Sequence, residues 1–481
     1  MILLAIVYPL FICFSLKIVI FALILTVLKS IIKAYGSLSR STYAKNHKFV
    51  SFLHPYAFSG GGGERVLWIA VNGLLQKFDN VVIVIHTKES NFDLATYYLK
   101  IKQTFGIDII DKERIKFSTL KYSEVTIRPR YYPVFTLLGQ LIGYAMIGFE
   151  SIMRYPSDIV IDTTGLPTSL IIWKIFTSAK CISYVHYPFI SSSMIEKVQT
   201  SQVESFNNNQ MFTKYFLLRQ LKLSYYKMLQ IFYMLIGQSN DLVFTNSTWT
   251  ANHIQKLWKI TPKILYPPCD VSKFGYCNFE KTNSIISVGQ FRPEKNQKLQ
   301  IESFAEFLKV TRPSNNSYRL NLVGGTRSED DRKFVEGLRE YAKLLKVEDF
   351  VEFHENLPFL EMLNLMKKST INLHTMDEEH FGIGIVEGMA LGLITVAHNS
   401  GGPLLDIIGP KRCDFTNLEG VGFLARTPEE YARIFKFIFD KAPLESLKEI
   451  SKNASSSTRK FSNQNFVDSF SESMGEFLAI K

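Results

Sequence analysis

Cysteine is scarce in this 481-residue sequence, which contains five cysteines and no C-x-x-C pair or other zinc-ligand spacing. This pattern argues against a disulfide framework and a structural zinc site, and it suits a reducing compartment. The thiols are scattered along the chain at Cys13, Cys181, Cys269, Cys277 and Cys413.

Motifs of several phosphate-handling enzymes are also missing. Four glycines occupy positions 60-63, but Glu64 and Arg65 follow them instead of Lys-Ser or Lys-Thr, and the spacing is not G-x-G-x-x-G. Kinase and P-loop chemistry are therefore excluded. The sequence has no D-x-D triplet, so it lacks the carboxylate pair that usually holds a magnesium ion in such a site. We expect an enzyme that uses no metal ion and no other cofactor.

Acidic side chains are absent from the flank of a long apolar run. Residues 1-28 are apolar except for Lys17, and about 20 such residues suffice to cross a bilayer. The run has no basic segment before it and no small-residue cleavage site after it, which favours an uncleaved anchor over 1-34 rather than a signal peptide. Basic residues follow the run and predict a cytosolic body for the protein. They are Lys29, Lys33, Arg40, Lys45 and Lys48.

The whole chain carries a formal charge of +11, from 55 Lys and Arg and 44 Asp and Glu. An excess of this sign suits an anionic membrane surface or an anionic substrate. Nucleic acid is the other common partner of a basic protein, but the basic residues are dispersed and no finger, homeodomain or RNA-recognition signature occurs. We expect no nucleic-acid function.

From residue 49 onward, short β-branched runs alternate with longer segments of helical spacing. This alternation predicts parallel sheets with helices on both faces. Pro267 and Pro268 predict a hinge between two Rossmann-like domains that face a cleft, over 47-265 and 270-460. A last helix, over 461-481, is expected to pack back on the first domain. The predicted strands are FVSFLH (49-54), VVIVIH (81-86), DIVID (158-162), CISYVHY (181-187), DLVFTN (241-246), SIISVGQ (284-290), YRLNLVGG (318-325), FVEFHEN (350-356), TINLHTM (370-376) and LITVAHN (393-399).

Two further segments are unusually apolar for a soluble sheet protein. Residues 131-149 carry no charged side chain, and residues 222-237 mix lysines with aromatic and aliphatic side chains. Each segment fits either a buried helix or a helix that lies in the membrane interface beside a lipid substrate. The second is the better amphipathic candidate.

The glycine run lies between an apolar strand and a predicted helix, within FVSFLHPYAFSGGGGERVLWIAVNGLLQ (49-76). Glycines in such a turn bring bare backbone amides to a helix N-terminus, where anions bind. A flexible turn fits the run as well as a phosphate or sugar site does. If the run is a site, Gly61, Gly62 and Gly63 leave room for donor phosphate and acceptor.

A second constellation, MDEEHFGIGIVEGMALG (376-392), lies between two predicted strands. A helix that starts near Gly384 places Glu379 on the preceding loop and Glu387 in the first turn, where a carboxylate can bind a ribose diol. Taken alone, Glu387 also fits a charge that merely stabilises a helix N-terminus. The backbone amides just before the helix are placed to hold a phosphate of a nucleotide-sugar. These amides belong to Phe381, Gly382 and Ile383.

A third element, SVGQFRPEKNQ (287-297), carries Arg292 and Lys295 just beyond a predicted strand. Two cations at the carboxyl end of a strand, in the same half of the chain as the glutamate pair, suit a diphosphate. Each of them singly is more typical of a solvated surface charge.

Together these motifs resemble the retaining nucleotide-sugar glycosyltransferases of family 4, which have the two-domain GT-B fold. Glu379 and Glu387 match the family's E-x7-E motif, and Arg292 and Lys295 match its basic diphosphate turn. The family often has its arginine directly after the glycine that ends the strand, whereas Gln290 and Phe291 intervene here. This shift leaves Lys295 the firmer assignment.

Almost the whole chain resembles one branch of that family, the eukaryotic dolichol-pathway α-1,2-mannosyltransferases. The anchor is followed, in the expected order, by HPYAFSGGGGERVLW, YVHYPFIS, TNSTWT, YPPCDV, GQFRPEKN and EHFGIGIVEGMA. The resemblance implies GDP-mannose as donor and a dolichyl-diphosphate oligosaccharide as acceptor. It also implies a single-pass protein of the endoplasmic reticulum membrane with cytosolic catalytic domains, and it makes other mannosyltransferases of the pathway candidate partners.

The resemblance further implies that His186 contacts a mannose hydroxyl from the first domain. With Glu379, it is a predicted catalytic residue, while Glu387, the basic turn and the glycine run are predicted to bind the donor. Two other functions stay open. One is a UDP-sugar-dependent GT-B transferase that acts on another membrane glycolipid, because E-x7-E does not distinguish guanine from uracil. The other is a non-catalytic membrane scaffold of the dolichol pathway, against which the retained Glu387 and Lys295 count.

Overall fold

The structure of the protein is a computed structural model that describes residues 2–39, 43, 46–90, 93–122, 126–128, 131–132, 135–165, 168–189, 216–277, 279–280, 282–311 and 318–479. The chain forms two compact units. The first unit comprises Met1–Thr245, Thr250–Lys263 and Ser469–Lys481, and the second comprises Asn246–Trp249 and Ile264–Asp468. Each unit is a parallel sheet with helices, which confirms the predicted pair of α/β domains.

The sheet of the first unit has seven strands in the order β3-β2-β1-β4-β5-β6-β7. Neighbouring strands run parallel; Lys48 pairs with Val81 on one side of β1, and Val50 pairs with Ile159 on the other. All seven residues of β2 are buried, as expected for a strand covered on both faces. The strands are β1 (Lys48–Leu53), β2 (Val81–Thr87), β3 (Ile115–Thr119), β4 (Ile159–Asp162), β5 (Lys180–Val185), β6 (Leu242–Thr245) and β7 (Lys263–Ile264).

The sheet of the second unit has six parallel strands in the order β10-β9-β8-β11-β12-β13. Its strands are β8 (Ser284–Val288), β9 (Arg319–Gly324), β10 (Val351–Glu355), β11 (Ile371–His374), β12 (Ile394–His398) and β13 (Phe423–Ala425). The ten predicted strands are thus confirmed across the two sheets, whereas β3, β7 and β13 were not predicted.

The helices follow the strands in both units. Two of them begin with a capping box, in which Ser328 caps α10 and Thr427 caps α13, so their start is written in the sequence. In chain order the helices are α1 (Ile2–Ser39), α2 (Gly62–Lys77), α3 (Leu94–Phe105), α4 (Thr136–Arg154), α5 (Thr168–Phe176), α6 (Phe216–Gln238), α7 (Thr248–Trp258), α8 (Val271–Phe274), α9 (Gln297–Thr311), α10 (Glu329–Leu344), α11 (Phe359–Lys367), α12 (Ile383–Leu391), α13 (Pro428–Lys436), α14 (Leu444–Ser457) and α15 (Asn463–Leu478).

The C-terminal helix α15 starts in the second unit and ends in the first, because residues from Ser469 onward belong to the first unit. There the ring of Phe470 lies 5.7 Å from that of Phe244, which is the third residue of β6. Both rings are buried, as are Met474 and Leu478 further along the helix. The C-terminal part of α15 is therefore part of the core of the first unit.

Three helices cover the long apolar segments of the sequence. The predicted anchor falls within α1, and its crossing of a membrane stays a prediction. Helix α4 is long and apolar enough to span a membrane by length and composition, and less than half of its apolar stretch is buried. Helix α6 covers the segment 222-237.

Candidate active site

The second unit brings Lys295, His374 and Glu379 together. Nζ of Lys295 lies 2.6 Å from Oε2 of Glu379, and the same oxygen lies 2.9 Å from Nε2 of His374. His374 ends β11, and Lys295 ends the short turn Pro293–Lys295 that follows β8. Because β8 and β11 are parallel neighbours, their carboxyl ends share one edge of the sheet, where ligands of such sheets bind.

Glu379 is a buried carboxylate, with 8% of the residue exposed. Burial raises the pKa of a carboxyl group, but here the hydrogen bond from His374 and the charge of Lys295 outweigh burial and hold the pKa of Glu379 far below its usual range. Glu379 is therefore an ionised hydrogen-bond acceptor at neutral pH, and it cannot donate a proton to a leaving group.

The backbone of Lys295 is held by side chains from the adjacent strand end. The Thr375 hydroxyl donates to the carbonyl oxygens of Lys295, at 3.2 Å, and of Asn296, at 3.1 Å. It accepts a hydrogen bond from Nε2 of Gln300 at 2.9 Å. This network fixes the turn so that the lysine side chain reaches Glu379.

Arg292, the other predicted diphosphate ligand, lies in a different environment. Its guanidinium is 4.0 Å from the carboxylate of Glu294, and 42% of its side chain is exposed, against 27% for Lys295. The structure joins Lys295 to Glu379 and leaves Arg292 at the surface.

The loop after Glu379 enters α12 through Gly382, whose φ of +112° lies in the region that favours glycine. The amides of Ile385 and Val386 donate to the Gly382 carbonyl at 3.0 and 3.3 Å. The helix begins at Ile383, so Glu387 lies at the start of the second turn, and its predicted place in the first turn is wrong. The reason is the helical period of about 3.6 residues, which puts a fifth residue beyond one turn.

Two glycines that the sequence analysis did not single out pack under this loop. A Cβ at Gly401 would lie 2.3 Å from the carbonyl oxygen of Glu379, and a Cβ at Gly402 would lie 2.7 Å from the backbone of Phe381. The amide of Gly402 donates to the Glu379 carbonyl at 2.7 Å. Only glycines allow the segment 400-402 to approach the Glu379 loop so closely.

In the first unit, the glycine run forms the turn into α2, with φ of +86° at Gly60. The amide of Gly61 donates to one carboxylate oxygen of Glu64 at 2.7 Å, and the other oxygen lies 3.5 Å from Nε2 of His54. Burial raises the pKa of the Glu64 carboxyl, but its hydrogen bonds with His54 and Gly61 lower it overall. One of the amides predicted to bind phosphate is thus occupied by the side chain of Glu64.

Two histidines face Gly63. A Cβ at Gly63 would lie 3.5 Å from Nε2 of His186 and 3.9 Å from Cε1 of His54. Nδ1 of His54 lies 2.7 Å from the hydroxyl of Thr163. The structure therefore brings the predicted residues Gly63 and His186 together.

Three residues of these clusters were not predicted as site residues from the sequence. They are His54, Glu64 and His374. Both histidines stand at the carboxyl end of a strand, and Glu64 is the third residue of its helix, a capping position. A histidine at the carboxyl end of a strand and a glutamate at a capping position are the sequence signals that could have identified these residues. Among the residues that the structure describes, no group of three or more His, Cys, Asp or Glu side chains is placed to hold a metal ion.

Family models match both halves of the chain. Residues 47–258 match the ALG11 mannosyltransferase N-terminus, and residues 272–457 match the glycosyl transferases group 1 domain. Among curated relatives, the GDP-Man:Man(3)GlcNAc(2)-PP-Dol alpha-1,2-mannosyltransferase of Homo sapiens is 40% identical over 91% of this chain and 88% of that protein. The protein of the same name from Dictyostelium discoideum is 38% identical over 88% of this chain and 83% of that protein.

Solved structures share the fold at low identity. A glycosyltransferase from Rickettsia africae is 17% identical, with a TM-score of 0.62 over 91% of this chain and all of that one. Anabaena HepE, in complex with UDP and glucose, is 16% identical, with a TM-score of 0.56 over 89% of this chain and all of that one.

Two parallel-sheet α/β units, with a lysine and a glutamate paired at the sheet edge of the second, define the class as glycosyltransferases of the GT-B fold. Within that class, the identity and coverage are high enough to assign a family. The chain belongs to the eukaryotic GDP-Man:Man(3)GlcNAc(2)-PP-Dol alpha-1,2-mannosyltransferases.

Proposed function

We propose that the protein is a retaining mannosyltransferase that moves mannose from GDP-mannose to dolichyl-diphosphate-linked trimannosyl-chitobiose. The new linkage is α-1,2, and the products carry the fourth and fifth mannoses of the N-glycan precursor. The cluster of Lys295, Glu379 and His374 carries the proposal, in a chain whose relatives bear this donor, acceptor and linkage in their names.

We assign the donor nucleotide to the second unit. Lys295, assisted by Arg292, and the amides of Phe381, Gly382 and Ile383 bind the diphosphate, and Glu387 binds the ribose. The amides suit an anion because the first N–H groups of a helix have no partner in its own turns. Hydrogen-bond donors that are held in place before the reaction stabilise the charge that grows on the leaving phosphate. This stabilisation is often the largest contribution to catalysis.

Glu379 binds the mannose hydroxyls in this assignment. Its ionised oxygens can only accept hydrogen bonds, and hydroxyl groups are suitable donors. Lys295 then lies between the sugar-binding carboxylate and the diphosphate, so one cation serves both parts of the donor.

Retention of configuration follows from attack on the same face that the leaving group occupies. The acceptor oxygen bonds to the anomeric carbon as the bond from that carbon to the phosphate oxygen breaks. The hydroxyl proton passes to the departing diphosphate, and GDP leaves. A double displacement needs a carboxylate nucleophile, whereas Glu379 is engaged by Lys295 and His374 through one of its oxygens.

We assign the first unit to the acceptor, with His186 contacting a sugar hydroxyl. Gly63 keeps the space beside His186 free of side chains larger than hydrogen. The support is the 3.5 Å separation between Nε2 of His186 and the point that a Cβ of Gly63 would occupy.

We place the protein in the endoplasmic reticulum membrane, anchored by α1 with both catalytic units in the cytosol. Supporting this are exposed apolar side chains along two more helices of the first unit, which suit a lipid-linked acceptor. On α4 they are Ile142, Met146, Phe149 and Met153, and on α6 they are Leu221, Met228, Ile231, Phe232 and Leu235.

An apolar groove of about 170 Å³ also opens in the first unit, beside residues 28-35 of α1. An apolar cavity of about 150 Å³ is enough to bind a small hydrocarbon. We assign this groove to the isoprenoid chain of the acceptor. Its lining comes from Leu28, Ile31, Ile32, Tyr35, Phe149, Ile152, Met153 and Phe176.

A topology test uses the glycosylation sequons at Asn246, Asn315 and Asn453. A cytosolic body leaves all three without glycans. Asn246 is buried, and Asn315 lies outside the described residues, so the partly exposed Asn453 is the informative position. A glycan found there by mass spectrometry would reverse the proposed orientation.

The activity test incubates the purified full-length protein with a defined lipid-linked trimannosyl acceptor and either GDP-mannose or a UDP-sugar. We expect the product mass to rise by one and then two hexoses with GDP-mannose alone. Transfer from the UDP-sugar would favour the alternative transferase, and no transfer from either donor would favour the scaffold.

A further inference from the structure

The Asp406 carboxylate is buried in the second unit and holds the start of α7. Only 2% of the residue is exposed. Its oxygens accept hydrogen bonds from the backbone amide of Thr248, at 3.0 and 3.3 Å, and from the Thr248 hydroxyl. A third donor is the hydroxyl of Tyr266, at 3.0 Å. Asp406 thus acts as a helix cap from a distant part of the chain, and fixes Tyr266 at the same time.

The residues that Asp406 holds place two aromatic rings against residues 378-382, the loop proposed to bind the donor nucleotide-sugar and called the donor loop below. Trp249 follows Thr248 directly, and its ring lies 5.1 Å from that of His380 at an angle of 31°. The ring of Tyr266 lies 5.7 Å from that of Phe381, also at 31°. His380 and Phe381 are the two residues between Glu379 and Gly382, so these rings pack on the segment that leads from the sugar-binding carboxylate to the helix amides.

The segment that carries Asp406 contacts the same loop a second time. Besides the bond from the Gly402 amide to the Glu379 carbonyl, the Ser400 hydroxyl accepts a hydrogen bond from the amide of Glu378 at 2.8 Å. The donor loop is therefore held by two hydrogen bonds to its backbone and by two ring contacts.

We infer that Asp406 is a positioning residue for donor binding. By fixing Thr248 and Tyr266, it sets the positions of the Trp249 and Tyr266 rings, and through them the position of the Phe381 and Gly382 amides. The inference rests on the proposed function, since it requires that this loop binds the diphosphate of the donor. A simple cap would matter for stability alone, whereas a positioning residue matters for donor affinity.

Two variants test the role. Asp406→Asn keeps the size of the side chain but loses the charge and one acceptor oxygen. Thr248→Val keeps the shape of the Thr248 side chain but loses its hydroxyl. In full-length protein, we expect each variant to raise the KM for GDP-mannose and the Kd for GDP by about tenfold, the scale of one lost hydrogen bond to a charged group. The acceptor KM should change little. Thr248→Ser, which keeps both the backbone amide and the side-chain hydroxyl that donate to Asp406, should restore wild-type values.

The matched control is Ser328→Ala, which removes the cap of α10 in the same unit, where the Ser328 hydroxyl accepts from the Asp331 amide at 3.1 Å. It should lower the thermal midpoint while leaving both donor constants unchanged. Wild-type donor constants in Asp406→Asn and Thr248→Val, with only a lower midpoint, would overturn the inference. If Asp406→Asn fails to fold, Thr248→Val alone decides. Failure of the proposed function looks different, because the wild-type protein itself would then neither bind GDP nor transfer mannose.

Discussion

At the scale of single residues, the candidate site depends on a carboxylate that is buried yet ionised. Removing a carboxylate from water is costly, and Glu379 is stable in this form because a lysine and a histidine contact the same oxygen. The arrangement also directs the Lys295 side chain toward Glu379. The charge and the position of the Glu379 carboxylate therefore depend on Lys295 and His374 together.

Lys295→Met removes the cation and leaves Glu379 with His374. We expect mannose transfer to fall by at least about 100-fold, the usual effect of losing one preorganised donor to a developing negative charge. Initial rates at saturating donor and acceptor measure the effect, with the thermal midpoint recorded alongside.

Lys309→Met is the control, since Lys309 pairs with Glu306 at the same distance of 2.6 Å but with 63% of its side chain exposed. An exposed pair of this kind contributes little. The control should retain full activity. Transfer by Lys295→Met within a few-fold of the control would remove Lys295 from the mechanism.

A histidine in the core of the first unit predicts acid sensitivity. Burial, aided by the charge of Arg154, lowers the pKa of His86 to about 3 from 6.5. Below pH 6.5 the unfolded chain therefore binds a proton that the folded chain does not. The contribution of neutral His86 is complete above pH 6.5 and is lost as the pH falls toward 3, by about 1.4 kcal/mol per pH unit.

Denaturant unfolding measures this loss when the wild type and His86→Gln are compared at about pH 7.5 and about pH 5. These two values lie on either side of the ordinary histidine pKa. The variant should show a shallower fall in the free energy of unfolding. Equal slopes in the two proteins would show that His86 is not the group responsible.

At the scale of elements, the segment 400-402 packs closely against the Glu379 loop. Gly401 has φ of +58° and lies against the backbone of Glu379 and Glu378. Gly275, at the end of α8, has the same φ of +58° but nothing within 4 Å of the point that a Cβ would occupy. The pair separates backbone strain from close packing.

Alanine at each position tests this separation. Gly275→Ala should lose about 1–3 kcal/mol of stability, the cost of placing a Cβ on a backbone with φ of +58° and ψ of +135°, a combination that side chains rarely adopt. Gly401→Ala should lose clearly more and raise the KM for GDP-mannose, because the new methyl group displaces the loop. Thermal unfolding and donor kinetics measure the two effects, and similar losses in both variants would contradict the packing argument.

The sequence predicted elements and motifs well, and their contacts less well. Runs of β-branched residues identified ten strands because central parallel strands are buried on both faces. The sheet order puts the missed strands β3, β7 and β13 at edges, where fewer apolar residues are needed, and β7 and β13 have only two and three residues. Likewise Lys295 and Glu379 were each predicted as site residues, but their bond joins positions 84 apart in the chain, and no local pattern encodes it.

At the scale of the whole molecule, large apolar side chains are exposed in different ways in the two units. The first unit exposes them as stripes along α4 and α6, whereas in the second unit examples such as Val310, Leu344 and Leu360 lie on separate helices or helix ends. Scattered exposed apolar residues are ordinary, but a stripe indicates a partner. The stripes are consistent with the proposed lipid-linked acceptor.

Replacing three residues of the α4 stripe, Ile142→Ser, Met146→Ser and Met153→Ser together, should weaken use of an acceptor in a bilayer. We expect the KM for the dolichyl-linked acceptor to rise at least about tenfold, since each buried side chain contributes about 1.5–3 kcal/mol. The KM for GDP-mannose should not change.

The control replaces the same number of exposed apolar residues on the second unit, with Val310→Ser, Leu344→Ser and Leu360→Ser. Assays in lipid vesicles compare the two triple variants. An equal acceptor KM in both would argue against contact between α4 and lipid.

The position of helix α15 bears on how the protein is made. A ribosome releases the amino end of a chain first, yet Phe470, Met474 and Leu478, which belong to the core of the first unit, are translated after all the residues of the second unit. Everything that forms the second unit is therefore synthesised before the first unit can close around β6. The first unit therefore stays incomplete until these residues of α15 have been synthesised, and a nascent chain that stops before position 469 leaves the ring of Phe244 without its partner from α15.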